Sequence, residues 1–259
     1  MEPTVNAFII SAFVFALLIG SFLNVLIHRL PLGQSIARPR SHCPSCGHLI
    51  RWYDNVPLLS YLWLGGRCRD CRVRIPLMYP AVELLSGLFG AFSLWRHGPS
   101  LEAAWIYAFL AILLTIACID WRHQIIPDVL SIGGTVLGVA GAFVCLPVKP
   151  ADSVIGAVAG SGLLVGIAAL YKLIRKVDGL GGGDVKLMAM IGAFLGYQMV
   201  FPVLFLASFL GSLYGLYLIR SGGDGKTAVA FGSFLAPSAA VIFFFGRQFL
   251  QFYLGFFRG

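Results

Sequence analysis

The chain has 259 residues, of which 58% are hydrophobic and only 12% charged, and its mean hydropathy is +0.86. A soluble domain carries about 25% charged residues, so this composition excludes a soluble globular protein. The formal net charge of +8 would suit a nucleic-acid partner, but the basic residues lie between apolar runs, as membrane orientation signals do. The lipid bilayer is the expected partner, and nucleic acid is not.

Eight apolar runs predict membrane-spanning helices at about 5–27, 78–95, 103–119, 129–147, 153–173, 186–198, 200–219 and 230–254. The first, Val5 to Ile27, has no basic stretch ahead of it and no small-residue cleavage site before Arg29, so it reads as a retained span. The sixth is short and ends near Pro202. No run alternates in polarity as barrel strands do. The predicted fold class is therefore an all-α polytopic membrane protein. With eight crossings both termini share one side. The opposite side then carries 15 of the 19 Lys and Arg residues, leaving Arg96, Lys149, Arg247 and Arg258. That bias makes the basic side cytoplasmic and places the termini outside.

The connection after the first span is the long one. Residues 28–77 form an expected cytoplasmic domain between a first helix at 1–27 and a membrane region at 78–259. It contains Cys43-x-x-Cys46 and, 21 residues later, Cys68-x-x-Cys71. Two such knuckles give four thiolates in tetrahedral array, the ligand set of structural zinc. A reducing cytoplasm argues against disulfides. Four sulfur ligands leave no open position for water, so the metal is expected to fold the domain and not to catalyse. His42 and His48 read as surface neighbours, and Cys118 and Cys145 as small packing residues in apolar spans.

Only 11 acidic residues are present. Glu2, Asp54, Asp70, Glu102, Asp152 and Asp224 fall in loops or at ends and read as solvated charge, as does Asp178. Asp120 closes the third span in "IDWRHQIIPD", and Asp184 opens the sixth in "GLGGGDVKLM". An ionisable group at membrane depth is costly and points to a functional site. A helix N-terminus accounts for Asp184, but Asp120 sits at a helix C-terminus, the unfavourable end for a carboxylate. Two carboxylates sharing a proton supply a general base for water and an acid for a carbonyl. A proton-relay transporter would favour mid-span acids and internal repeats, and neither is seen. A non-enzymatic zinc scaffold leaves both aspartates without a role.

The chain resembles the type IV prepilin peptidase family along nearly its whole length. The resemblance is carried by "GSFLNVLIHRLP" (20–31), both knuckles, "DNVPLLSYLWLGGRCRDC" (54–71), "YPAVELL" (79–85), "IDWRHQIIPD" (119–128) and "GGGDVKLM" (181–188). It implies that Asp120 and Asp184 are the catalytic pair of a GxGD-type aspartyl protease and that 78–259 is the peptidase domain. It also implies cleavage of prepilin or pseudopilin leaders at the cytoplasmic face of a bacterial inner membrane. For many members it implies N-methylation of the new N-terminus by S-adenosylmethionine, with Asn24 and Arg29 as candidate cofactor residues near the 28–78 region. Gly181 and Gly183 are expected to clear space beside Asp184 for a substrate backbone and to let the chain leave helical geometry. Glu83 reads either as a buried acid beside a basic partner or as a contact to the substrate's new amine. Lys186 either orients the aspartates or snorkels to lipid phosphates. Asp128 reads as an N-cap or structural acid for the fourth span.

Overall fold

The computed structural model describes residues 3–176, 181–222 and 230–256. Asp178 and Gly179 of the glycine loop, together with Glu2, Asp224, Lys226 and Arg258, lie outside the described residues. The chain forms two compact units, Met1–Thr115 and Ile116–Gly259. The regular secondary structure of the described residues is all helical, apart from two isolated antiparallel bridges in the long loop.

In the first unit, α1 (Pro3–Arg29) lies along α3 (Met78–His97). Small residues make this possible. A side chain at Gly20 would come within 2.8 Å of the Glu83 Cα, and one at Gly87 within 2.8 Å of Leu17 and Phe13. In lipid no hydrophobic drive joins two apolar helices, so close backbone approach and buried hydrogen bonds must do so. Ser86 supplies one of these, its Oγ donating to the Ala16 carbonyl at 2.7 Å while also meeting the Tyr107 hydroxyl at 2.8 Å. The loop between α1 and α3 holds a short 3-10 turn at Trp52–Asn55 and the five-residue helix α2 (Leu59–Trp63). The helix α4 (Leu101–His123) leads out of this unit.

In the second unit, α5 (Asp128–Val144), α6 (Pro150–Arg175), α8 (Val200–Arg220) and α9 (Gly232–Phe256) all pack on α7 (Gly182–Leu195). Eight of the 14 residues of α7 are buried. At 1.5 Å per residue it is about 21 Å long, shorter than a hydrocarbon core of about 30 Å. Its sheath of other helices removes the need to match lipid. Helix α6 crosses α7 where Gly156 meets Gly192, each occupying the space that a side chain on the other would need. Ser153 Oγ donates to the Ala193 carbonyl at 2.6 Å beside this crossing.

All eight apolar runs are helical, with the boundaries of the sixth displaced. It begins at Gly182 and stops at Leu195, where Gly196 at φ +79 ends it. Among the described residues, four helices are long and apolar enough to cross a membrane: Asn6–Leu32, Leu101–His123, Pro150–Arg175 and Tyr197–Arg220. Asp128–Val144 and Gly232–Gly246 are shorter apolar helices.

Candidate active site and metal centre

Asp120 sits in the last turn of α4 with 4% of its surface exposed, and Asp184 in the first turn of α7 with 9% exposed. They are 64 residues apart in sequence, yet both reach the N-terminus of α9. Asp120 Oδ2 accepts the backbone N–H of Ser233 at 2.6 Å and the Ser233 hydroxyl at 2.9 Å. The Asp184 carboxylate faces the backbone N–H groups of Gly181 and Gly232 and lies within electrostatic range of Asp120. The first N–H groups of a helix have no internal partner and carry a partial positive charge. Asp120 therefore occupies the unfavourable end of its own helix but the favourable end of α9, which resolves the oddity of its position.

The glycines here serve close approach. A side chain at Gly232 would stand 2.7 Å from Ile126 Cδ1 and 2.9 Å from Asp120 Oδ2, and one at Gly183 would stand 3.0 Å from Ile126 Cβ. Gly181 is extended, whereas Gly182 and Gly183 are already helical. Of the two glycines expected to take the chain out of helical geometry, Gly181 lies just before α7 and Gly183 lies within its first turn. Gly232 and Ser233 were not singled out from sequence. Their signal was present in "FGSFLAP", where a glycine and a hydroxyl residue open an apolar helix.

The remaining site candidates have other partners. Lys186 Nζ binds both carboxylate oxygens of Asp128, at 2.7 and 2.8 Å. Asp128 is the first residue of α5, following Pro127 in the cap position, so it acts as a structural acid and not as the N-cap. Glu83 accepts the backbone N–H of Leu58 at 2.9 Å, where a basic side chain was one expectation. Leu58 has φ +59, a conformation a leucine adopts only under constraint. Arg29 is buried and spends its guanidinium on the carbonyls of Ser35 at 2.9 Å and Pro39 at 2.6 Å, fixing the entry to the loop. Asn24 Nδ2 donates to the Tyr79 carbonyl at 3.1 Å, while its buried Oδ1 has no hydrogen-bond partner among the described residues. Asp54 is not solvated charge: its side chain is 10% exposed and gripped by Arg69, whose Nε lies 2.8 Å from Oδ2 and Nη2 2.5 Å from Oδ1. That guanidinium overcomes burial and holds the Asp54 carboxyl below the usual carboxylate range. Tyr53, Asp54, Val56, Leu59, Ser60, Trp63 and Arg69 line a cleft of about 300 Å³.

The four loop cysteines converge, with all four Sγ atoms within 4.8 Å of one another. Cys43 and Cys71 Sγ are 3.8 Å apart, the separation of two thiolates at about 2.3 Å from a tetrahedral zinc. Each knuckle is closed by backbone bonds: Cys43 N–H to the His48 carbonyl and Cys68 N–H to the Val73 carbonyl, both at 2.9 Å. His42 and His48 are exposed. Burial opposes ionisation of Cys43, but the backbone N–H groups of Cys46 and Ser45 outweigh it and hold the thiol down at about 7. The His48 N–H favours the Cys46 thiolate, but burial and the sulfurs of Cys43, Cys71 and Cys68 push that thiol up to about 12. Crowded sulfurs that cannot all ionise together are a donor set suited to a cation.

Known proteins resemble the chain along its length. Residues 14–97 match the Bacterial Peptidase A24 N-terminal domain, and residues 107–216 match the Type IV leader peptidase family. A Pseudomonas putida protein is 38% identical over 96% of this chain and 93% of its own length. A Pseudomonas aeruginosa protein is 35% identical over 96% and 94%, and one from Stutzerimonas stutzeri is 36% identical over 97% and 96%. All three bear the name prepilin leader peptidase/N-methyltransferase. No solved structure matches the chain. With identity sustained from end to end and both family regions matched, the chain belongs to the type IV leader peptidase family.

Proposed function

We propose that the protein is a membrane aspartyl endopeptidase that cleaves the leader of type IV prepilins or type II secretion pseudopilins and N-methylates the residue it exposes. The observation that carries the peptidase reading is the meeting of two buried carboxylates, Asp120 and Asp184, at the N-terminus of α9. Two like charges so placed do not both ionise cheaply, and the pair holds one proton between them. The ionised member takes a proton from water as the oxygen attacks the scissile carbonyl. The protonated member donates to the carbonyl oxygen, and the collapse of the tetrahedral intermediate returns a proton to the leaving amine. The names of the relatives support both activities.

The four cysteines hold zinc as a structural ion for residues 28–77, with 1–27 as a first transmembrane helix and 78–259 as the peptidase domain. Eight crossings of a bacterial inner membrane, with loop and aspartates cytoplasmic and both termini periplasmic, agree with the distribution of Lys and Arg. S-adenosylmethionine, when bound, supplies an electrophilic methyl group to an amine. Two features of the first unit suit it: the cleft lined in part by Tyr53 and Trp63, and the buried acceptor of Asn24, unpartnered among the described residues. Arg29 has its donors committed to the loop backbone, so its contribution there is to shape. Gly181 and Gly183 leave room for a substrate strand beside Asp184, and Lys186 lies two residues farther along the same helix.

The test is to incubate purified protein with a prepilin and isotope-labelled S-adenosylmethionine and to read the product by mass spectrometry. A shortened, methylated chain is expected. An intact substrate, under conditions in which a relative cleaves it, overturns the peptidase reading; a cleaved but unmethylated product overturns the methyltransferase.

A further inference from the structure

The sequence motifs stop short of one element of the site. The matched peptidase region ends at residue 216, yet Asp120 takes two hydrogen bonds from Ser233, 17 residues farther on. Both bonds fall on one oxygen, Oδ2. A carboxylate held by a single bond can rotate about its Cβ–Cγ axis and exchange its oxygens. Two converging donors, one of them a backbone N–H at a helix start, fix its plane. Ser233 N–H is shared with the Ala230 carbonyl at 3.3 Å, so the 2.6 Å bond to Asp120 is the shorter branch. Gly232, one residue earlier, makes room for the carboxylate because any side chain would collide with it. Pro237, four residues later, has no N–H for the Ser233 carbonyl, which frees the first turn of α9 from one helical constraint.

We infer that Ser233 is the positioning residue for Asp120, fixing the orientation of its carboxylate through both its hydroxyl and its backbone N–H. The inference rests on the peptidase reading and assigns Ser233 no contact with substrate. An oriented hydrogen bond to a charged group corresponds to about 10- to 100-fold in rate. Ser233→Ala removes the hydroxyl bond alone, and Ser233→Pro removes both donors and sets its ring Cδ where the N–H met Asp120 Oδ2, so the carboxylate must turn away. Ser233→Thr keeps both.

The experiment measures prepilin cleavage by the full-length protein in detergent for these three variants, with melting curves as a check of folding. It adds the isotope-edited infrared carboxylate band of Asp120, identified by its loss in Asp120→Asn. The expected result is a fall in kcat of about 10-fold for Ser233→Ala and about 100-fold for Ser233→Pro, with KM within about twofold and near-normal kcat for Ser233→Thr. The carboxylate band shifts in the alanine and proline variants and stays in place in the threonine variant. An unmoved band in Ser233→Ala and Ser233→Pro overturns the inference whatever the activity. A shifted band in a protein whose wild type does not cleave prepilin upholds the contact and overturns the peptidase reading on which its catalytic role depends.

Discussion

Lys186 on α7 and Asp128 on α5 form an ion pair two residues beyond Asp184, with Nζ at 2.7 and 2.8 Å from the carboxylate oxygens. The side chains are 42% and 59% exposed, and a pair so open to solvent contributes about 0–1 kcal/mol. Its value is registry: it ties the start of α5 to the turn that carries Asp184. A double-mutant cycle with Lys186→Ala and Asp128→Ala is expected to give a coupling below about 1 kcal/mol in detergent melts, weakened further by salt. A coupling of several kcal/mol would mean that the pair is buried in the working protein.

Asp120 and Asp184 are expected to fail singly and non-additively. Asp120→Asn or Asp184→Asn removes the shared proton while preserving shape, so cleavage falls by at least about 10³-fold in each, and the double variant is little worse than either. Both variants remain in the membrane fraction. Cleavage assays on detergent-purified protein decide this, and wild-type processing by either variant would remove the dyad mechanism.

Much of this site was legible because chemistry leaves marks in composition. Acids are scarce in the chain, so Asp120 and Asp184 stood out against apolar runs, and Cys-x-x-Cys spacing fixed the knuckles. What stayed hidden was tertiary. Nothing in "IDWRHQIIPD" shows that the C-terminal end of α4 meets the N-terminal end of α9, so the position of Asp120 looked unfavourable until Ser233 was placed beside it. Asp54 was misread for the same reason: a loop acid reads as solvated until the fold brings Arg69, 15 residues away, against it. The displaced ends of α7 follow from burial, since a helix sheathed by others is free of the length that lipid imposes.

The Asp54–Arg69 contact carries a pH signature. Arg69 holds the folded-state carboxyl of Asp54 below its unfolded value of about 3.9. The stability it contributes is therefore fully present above about pH 4 and is lost as pH falls through the lowered value. Amide exchange across residues 52–64 is expected to be faster in Asp54→Asn than in wild type at neutral pH, with the difference shrinking below about pH 4. Metal loss in acid acts on both proteins alike, so the difference isolates the ion pair. A difference that grows in acid would reverse the sign and exclude this assignment.

Removing one sulfur tests the metal centre. Cys43 is the buried member of the four, and Cys43→Ser is expected to lower the zinc bound per chain from about one to near zero and to open residues 28–77 to proteolysis. Chelation of the wild type gives the same cleavage pattern, reversed by added zinc. Asp120 and Asp184 lie outside this loop, so their carboxylate environment, read by infrared, is expected to be unchanged. Full zinc content in Cys43→Ser by elemental analysis would exclude the four-sulfur site.

The Gly156–Gly192 crossing sets the last expectation. Helices α6 and α7 touch backbone to backbone there, and a side chain at either glycine overlaps the main chain of the other helix. A flexible side-chain neighbour would yield; a backbone neighbour does not, so the helices must separate. Ser153 Oγ then loses its 2.6 Å bond to the Ala193 carbonyl, and α7, which carries Asp184 at its other end, shifts with it. Gly156→Val is expected to destabilise the second unit by about 2–4 kcal/mol, combining overpacking with the lost bond, whereas Gly162→Ala, which faces open space on α6, is expected to be neutral or slightly stabilising. Melting temperatures in detergent for the two variants separate a tight crossing from a general intolerance of α6 to substitution, since only the former predicts opposite outcomes at two glycines six residues apart.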